Sequence, residues 1–268
     1  MKVGKVVRRL RRGAGMLATG KLHRGYCTIC ERKVIFARTG PWLRDQYLCT
    51  GCHSIPRNRA LLKVLAEHFP DWRDLSIHES SPGGASSDKI RRECPKFVAS
   101  QFFSDVPRGE TRNGQRSEDL EALTFSENSF DLVITQDVFE HILRPELAFA
   151  EIARTLKPGG AHVFTVPYYR GKKTTIRSRA TESGAIEYLL KPDYHVNPID
   201  AQGSLVVTEW GDDICDFIYR ASGMTTTIYG FFDMRFGLEG EFLDVFVSRK
   251  VSQPDISRST ETSRTYSW

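Results

Sequence analysis

Phe130-Asp-Leu-Val-Ile-Thr-Gln136 and Ala161-His-Val-Phe-Thr-Val166 bracket the stretch that decides the fold. Each reads as a buried strand. Between them, Glu146 to Leu156 has the spacing of an amphipathic helix, and Lys157-Pro158-Gly159-Gly160 follows as a stop signal with Gly beyond the last turn. Strand, helix and strand in that order form one crossover unit of a parallel sheet.

The same alternation continues outward. Leu75-Ser-Ile-His-Glu79 predicts a strand, Ser80-Ser-Pro-Gly-Gly84 a turn, the polar run to about Glu93 a helix, and Lys96-Phe-Val-Ala-Ser100 another strand. Arg57 to Phe69 predicts a helix with Pro56 near its first turn and Ser54 as its cap. Towards the C-terminus, Asp212–Ser222 predicts a helix, and Thr225–Phe232 and Glu241–Ser248 a pair of strands. Units of this kind build a parallel sheet with helices on both faces, and ligands sit at the carboxyl ends of its strands.

Charge is unevenly placed. The chain of 268 residues has 38 Lys and Arg against 33 Asp and Glu, a net of +5. Residues 1–24 hold eight of the basic side chains and no acid, so the remainder carries 30 against 33, a net of −3. A mildly acidic body argues against a surface built to coat nucleic acid. Val3, Val6, Val7 and Leu10 recur at helical spacing within this basic arm. Two readings of it stand: peripheral contact with an anionic membrane through residues 1–12, or an ordinary packed or frayed N-terminal helix. No apolar run is long enough to span a bilayer, no signal-peptide core is present, and the expected place is the cytoplasm, with the inner membrane as a possible docking surface.

Cys27-Thr-Ile-Cys30 and Cys49-Thr-Gly-Cys52 are two C-x-x-C knuckles separated by 18 residues. Four thiolates so spaced suit a closed tetrahedral zinc site whose role is folding and docking. Val34-Ile35-Phe36 and Gln46-Tyr47-Leu48 flank a Gly40-Pro41 turn and predict a small hairpin between the knuckles. Cys94 and Cys215 read as buried structural thiols.

Glu118 to His141, with Asp119-Leu120 at its start and Gln136-Asp137-Val-Phe-Glu-His141 at its end, resembles class I S-adenosylmethionine-dependent methyltransferases of the type 11-like, small-molecule branch. Ala148 to Gly160 and the strand after it extend the resemblance, which covers roughly residues 74–166 and is similar to bacterial members with a cysteine-knuckle N-terminus. It implies an α/β, doubly wound, Rossmann-like and mostly parallel seven-stranded sheet, preceded by a small zinc-ribbon-like module. The expected division is a basic arm at 1–24, the four-cysteine module at 25–56, the methyltransferase domain at 57–250 with a lid or acceptor insertion at 167–210, and a disordered tail at 251–268. The resemblance further implies that Asp119 accepts from the adenine amino group while Leu120 packs on the ring, and that Thr135, Gln136 and Asp137 lie beside the cofactor. The first loop departs from the family pattern: Glu79, Ser80, Ser81, Gly83 and Gly84 replace the usual glycine-rich version, with Glu79 expected near the cofactor's amino group. Gln101, next to Ser100, stands where an acid normally binds the ribose, with Asp105 a less well placed substitute.

Methyl transfer from a sulfonium is an in-line displacement that mainly needs positioning. An oxygen acceptor benefits from a base, for which His195, flanked by Tyr194 and Asn197, is the candidate, with Glu140 and His141 lining the cavity. Arg170, Lys172, Lys173, Arg177 and Arg179 follow Tyr168-Tyr169 with no acid between them, so an anionic small-molecule or glycan acceptor is expected, against the reading of a solvated basic loop. Two other functions stay open: an RNA methyltransferase with a zinc module, and a non-catalytic scaffold that has lost the cofactor.

Overall fold

The computed structural model describes residues 22–195 and 202–251. The expectations for the basic arm before residue 22, for Asn197 and for the C-terminal tail lie outside them. Among the described residues no helix is long and apolar enough to cross a membrane.

Three antiparallel strands come first among the described residues: β1 (Leu22–Cys27), β2 (Arg32–Arg38) and β3 (Tyr47–Cys49). The β2–β3 pair is the hairpin expected between the knuckles, with the one-turn helix α1 (Leu43–Gln46) in its loop. The first strand takes in Leu22 to Arg24, which the charge count had assigned to the arm. Helix α2 (Pro56–His68) follows with its proline in the first turn, where no donor is lost. Ser54 does not cap it; Ile55 holds that position, and the Ser54 hydroxyl instead accepts from Arg59 Nη1 at 3.2 Å.

The body is one eight-stranded sheet. Its strands are β4 (Ile77–Ser80), β5 (Phe97–Gln101), β6 (Thr111–Arg112), β7 (Gln115–Ser117), β8 (Phe130–Gln136), β9 (Leu156–Thr165), β16 (Thr225–Tyr229) and β17 (Val245–Arg249). In order they run β16-β17-β9-β8-β4-β5-β7-β6. Pairs from β9 to β7 are parallel, while β17 is antiparallel to both its neighbours. The eighth strand is the two-residue edge piece β6, which folds back on β7. From β4 the chain winds outward through β5 and β7, then returns to β8 on the other side of β4. That reversal makes the carboxyl ends of β4 and β8 the switch point, where neighbouring crossovers leave the sheet in opposite directions and open a crevice.

Helices α3 (Gly84–Glu93), α4 (Pro145–Thr155) and α5 (Ile214–Ser222) pack on the faces. Period-two alternation along β8 and β9 divides the core: Leu132, Ile134 and Val163 join α2 and the N-terminal ribbon, whereas Val133 and Phe164 join Phe149, Trp210 and Ile218. Cys27, Phe36, Tyr47 and Cys49 share the first of these clusters with Leu61, Ile77 and Val245, so the ribbon and the sheet bury one continuous core. Gly237, at φ +64°, lies where an added Cβ would meet the Phe36 ring at 2.8 Å, which keeps the later loop close against the ribbon.

The expected stop after α4 takes another form. Leu156 is already extended, and Lys157 to Gly160 run on as the start of β9, with a register irregularity opposite Phe130–Leu132. Gly160 is needed there for close approach, since a Cβ would stand 2.9 Å from the carbonyl oxygens of Asp131 and Lys157. Between β9 and α5 the chain forms three small antiparallel pairs: β10 (Thr175–Ile176) with β15 (Thr208–Glu209), β11 (Ser178–Ala180) with β12 (Ile186–Tyr188), and β13 (Tyr194–His195) with β14 (Ser204–Leu205). This segment is tied to the carboxyl end of β8 by Val207 N–H, which donates to the Glu140 carbonyl at 2.7 Å.

Candidate active site

The switch point holds a buried polar network centred on Glu79. Its Oε1 accepts from Ser87 Oγ at 2.7 Å and from Gln136 Nε2 at 2.8 Å. Gln136 Oε1 accepts in turn from Ser86 Oγ at 3.0 Å and Asn58 Nδ2 at 3.2 Å. The second carboxylate oxygen of Glu79 is buried without a protein partner. Burial pushes the Glu79 carboxyl up to about 7, against the lowering effect of the Ser87 and Gln136 hydrogen bonds. An unpaired buried carboxylate oxygen is costly, and a cation placed there would relieve it.

The turn above Glu79 keeps the backbone reachable. Ser80 is buried, Ser81 adopts φ +55° and donates its N–H to Ser100 O at 2.8 Å, and Gly84 adopts φ +79°. Nothing lies within 4 Å of where a Cβ on Gly83 would stand, so a ligand can approach the backbone at that point. Gln101, half-buried at the end of β5, donates to Ser81 Oγ at 3.4 Å. Asp119 is half-buried and accepts from the Glu121 N–H at 2.9 Å, with Leu120 buried beside it. Asp105 is ion-paired with Arg112 at the exposed edge.

Two of the expected cofactor residues make internal bonds of their own. Thr135 is fully buried and its hydroxyl bonds His162 Nε2 at 3.0 Å, a strand-to-strand pair within the sheet. Asp137 adopts φ +52° and is held by three groups: Thr165 Oγ1 donates to it at 2.9 Å, and Arg44 and Arg57 both form ion pairs with it. Arg44 comes from α1 inside the ribbon and Arg57 from the first turn of α2. Together with Asn58, which reaches Gln136, they join the network at the switch point, and spacing along the chain gave no means to find them. Burial lowers the pKa of both guanidinium groups, that of Arg57 to about 10.

On the acceptor side, Glu140, His141 and His195 come together. Glu140 is fully buried, and neither of its oxygens has a hydrogen-bond partner. Its Oε1 lies 3.7 Å from His141 Nε2 and 3.7 Å from His195 Nδ1. His141 donates from Nδ1 to the Leu205 carbonyl at 2.8 Å, which leaves the Nε2 lone pair facing Glu140. The two imidazoles meet edge to face with centroids 5.1 Å apart. Burial raises the Glu140 carboxyl to about 7 and depresses His141 to about 4 and, to a lesser extent, His195. Tyr194 is exposed, and the hydrogen bond that its hydroxyl donates to the Tyr188 side chain raises its phenol. Sequence reasoning named both histidines as catalytic candidates and set Glu140 beside His141 along the methyl-transfer cavity, but gave no sign that the three side chains meet.

A cavity of about 600 Å³ opens near the end of β9, lined by Tyr168, Tyr169, Lys172, Phe231, Phe232 and Phe242 among others. Arg44 lies over the Phe242 ring at 5.8 Å, so the cavity adjoins the Asp137 corner of the switch point. The basic run is largely spoken for: Arg170 pairs with Asp244, Arg177 with Glu209 and Arg179 with Glu187. These carboxylates neutralise three of the five cations that were expected to receive an anionic acceptor, and two of the five, Arg170 and Lys172, line the cavity beside its aromatic rings.

The four knuckle sulfurs gather at the other end of the ribbon. Cys27 and Cys52 Sγ are 3.7 Å apart, Cys30 and Cys49 Sγ 3.8 Å, and all four lie within 4.8 Å of one another. A disulfide needs about 2.05 Å, whereas a tetrahedron of sulfurs about 2.3 Å from a zinc ion has edges of roughly 3.8 Å. The Cys30 N–H points at Cys27 Sγ and the Gly51 N–H at Cys49 Sγ, as suits thiolate acceptors. The donor set therefore fits a four-coordinate ion. His23 and His53 are not part of the cluster.

Residues 98–164, a quarter of the chain, match the family described as "Methyltransferase domain". None of the curated proteins matches the chain. Among solved structures, an S-adenosylmethionine-dependent methyltransferase from Mesorhizobium loti is 15% identical, with 71% of this chain and 97% of that one covered at a TM-score of 0.46. The 1,6-didemethyltoxoflavin-N1-methyltransferase of Burkholderia thailandensis is 14% identical, with 73% and 79% covered at a TM-score of 0.47. The segment matched by the family runs from β5 through β6, β7 and β8 into most of β9, and so includes β8 of the switch point but not β4. Residues 98–164 therefore carry the likeness to a methyltransferase domain, set in a mostly parallel sheet with its switch point at β4 and β8.

Proposed function

We propose that the chain transfers the methyl group of S-adenosylmethionine to an oxygen of a small acceptor seated in the aromatic cavity at the end of β9. The observation that carries this reading is Glu79: a buried carboxylate oxygen without a partner at the switch point of the sheet, under a turn left open at Gly83. When the Ser80–Gly84 turn parts, that oxygen receives the α-ammonium of the cofactor. Gln101 hydrogen-bonds the ribose, Asp119 accepts from the adenine amino group, and Leu120 packs on the ring. The acceptor oxygen attacks the methyl carbon, the carbon–sulfur bond breaks, and neutral S-adenosylhomocysteine leaves. The acceptor's proton departs on the side of Glu140, His141 and His195. Most of the catalytic effect comes from alignment and exclusion of water, since the sulfonium is already activated.

A structural zinc ion held by Cys27, Cys30, Cys49 and Cys52 completes the reading. It fixes the ribbon whose Arg44 reaches Asp137, and its closed four-sulfur shell leaves no position for chemistry.

The acceptor class is tested by incubating the full chain with methyl-labelled cofactor and, separately, a small-molecule extract and total RNA. Label is expected in the small-molecule fraction only. Label in RNA would overturn the proposed acceptor class.

A further inference from the structure

Glu140 is the least satisfied charged group among the described residues. Its carboxylate is 1% exposed as a residue, both oxygens lack a hydrogen-bond partner, and two imidazole nitrogens stand 3.7 Å from one of them. A buried carboxylate in that state requires a counter-group. Arg44 and Arg57 lie near, but both are committed to Asp137. The two imidazoles are too distant from Glu140 for a direct hydrogen bond, and they converge on the same oxygen.

We propose that Glu140, His141 and His195 bind one divalent transition-metal cation, distinct from the ion expected at the four cysteines. One carboxylate oxygen and two imidazole nitrogens within 4.8 Å of each other form the donor set. Bonds of about 2.0–2.2 Å to a common ion need only a small closure of these three groups. His141 already carries the outer contact typical of a metal-bound histidine: its far nitrogen donates to a backbone carbonyl, that of Leu205, at 2.8 Å. Two imidazoles and one carboxylate favour Co²⁺, Zn²⁺ or Fe²⁺ over Mg²⁺ or Ca²⁺, which prefer oxygen shells.

The ligands come from two places in the chain. Glu140 and His141 follow β8, whereas His195 sits on β13, hydrogen-bonded beside Leu205 of β14. The cation therefore clips the insertion between β9 and α5 onto the carboxyl end of β8. Three protein ligands leave open coordination positions, as in metal sites that do chemistry. The cation's part in methyl transfer rests on the function proposed above. An acceptor hydroxyl bound in an open position loses its proton to solvent more readily, and the resulting oxyanion attacks the methyl carbon.

The test uses the full chain with its cysteine site first filled with one equivalent of zinc, titrated with Co²⁺ and followed by visible absorption. One further equivalent is expected, without the thiolate charge-transfer band of a cysteine-bound cobalt. Binding should weaken at least tenfold in both Glu140→Gln and His195→Ala; His195 is half-exposed, so its replacement leaves the core intact. No cobalt beyond the cysteine site, or undiminished binding in both variants, overturns the proposal. Calorimetry with S-adenosylmethionine on the same sample separates the two claims. Cofactor binding without cobalt sinks the metal site alone, and cobalt binding without cofactor sinks the methyltransferase reading alone.

Discussion

Cys49→Ser is expected to lower the thermal midpoint of the chain by roughly 10 °C or more, taking a loss of about 3–5 kcal/mol for a buried structural site in a chain of this size. Cys49 is fully buried in the core cluster that joins the ribbon to the sheet. Beside it Arg59, also fully buried, donates to Tyr47 O at 2.9 Å and Gly237 O at 2.6 Å and lies over the Phe36 ring at 4.6 Å. Four thiolates around one divalent ion leave a net negative cluster, and Arg59 balances it. Structural zinc contributes on the order of 10–16 kcal/mol in isolated small domains, so its loss is not a surface perturbation. The effect should reach the cofactor, because Arg44 and Arg57 approach Asp137 from the ribbon and from the helix behind it. Differential scanning calorimetry with and without a chelator, alongside metal analysis, checks this. An unchanged midpoint after complete metal removal would show that the ribbon folds without an ion.

The second large effect concerns Glu79 and pH. The Glu79 carboxyl is raised to about 7 by burial, from an ordinary value of 4.5. In the cofactor-free protein the protonated form is favoured by the fold, so its contribution to stability is complete below pH 4.5 and is lost as pH rises through about 7. Cofactor binding reverses the preference, because an ammonium at Oε2 favours the carboxylate. Binding below pH 7 must then expel a proton, and affinity should fall roughly tenfold per pH unit below 7. Above about 7.7–8.0 the cofactor's own α-amino group loses its charge, so affinity falls on that side too. Glu79→Gln should weaken binding by on the order of a hundredfold, the loss of about 3 kcal/mol for a charged hydrogen bond, and abolish the acid limb. Calorimetric titrations across pH 5–9 measure both. A flat profile in the native chain would exclude Glu79 as the amino group's partner.

Much of this was legible in the residues. Phe130–Gln136 and Ala161–Val166 announced buried parallel strands because both faces of β8 and β9 are covered, and the knuckle spacing brought four sulfurs within reach of one ion. What stayed hidden depended on contacts across the chain. Arg44 is 93 residues from Asp137, and Asn58 is 78 from Gln136, so no local pattern marks them. The basic run of 170–179 looked free of acids because its carboxylate partners lie 32 and 74 residues further on, or across the β11–β12 pair. Thr135 sat at the right strand end, yet its hydroxyl is taken by His162 on the neighbouring strand. The Gly159-Gly160 pair serves the close passage of β9 along β8 instead of a helix cap.

The central claim is that the switch point between β4 and β8 binds S-adenosylmethionine. Titration of the full chain with the cofactor by calorimetry at pH 7.5, near the optimum expected from the groups involved, tests it most directly. The account predicts one equivalent bound and a raised thermal midpoint. No detectable heat and no thermal shift would contradict it and leave a methyltransferase fold that serves as a scaffold.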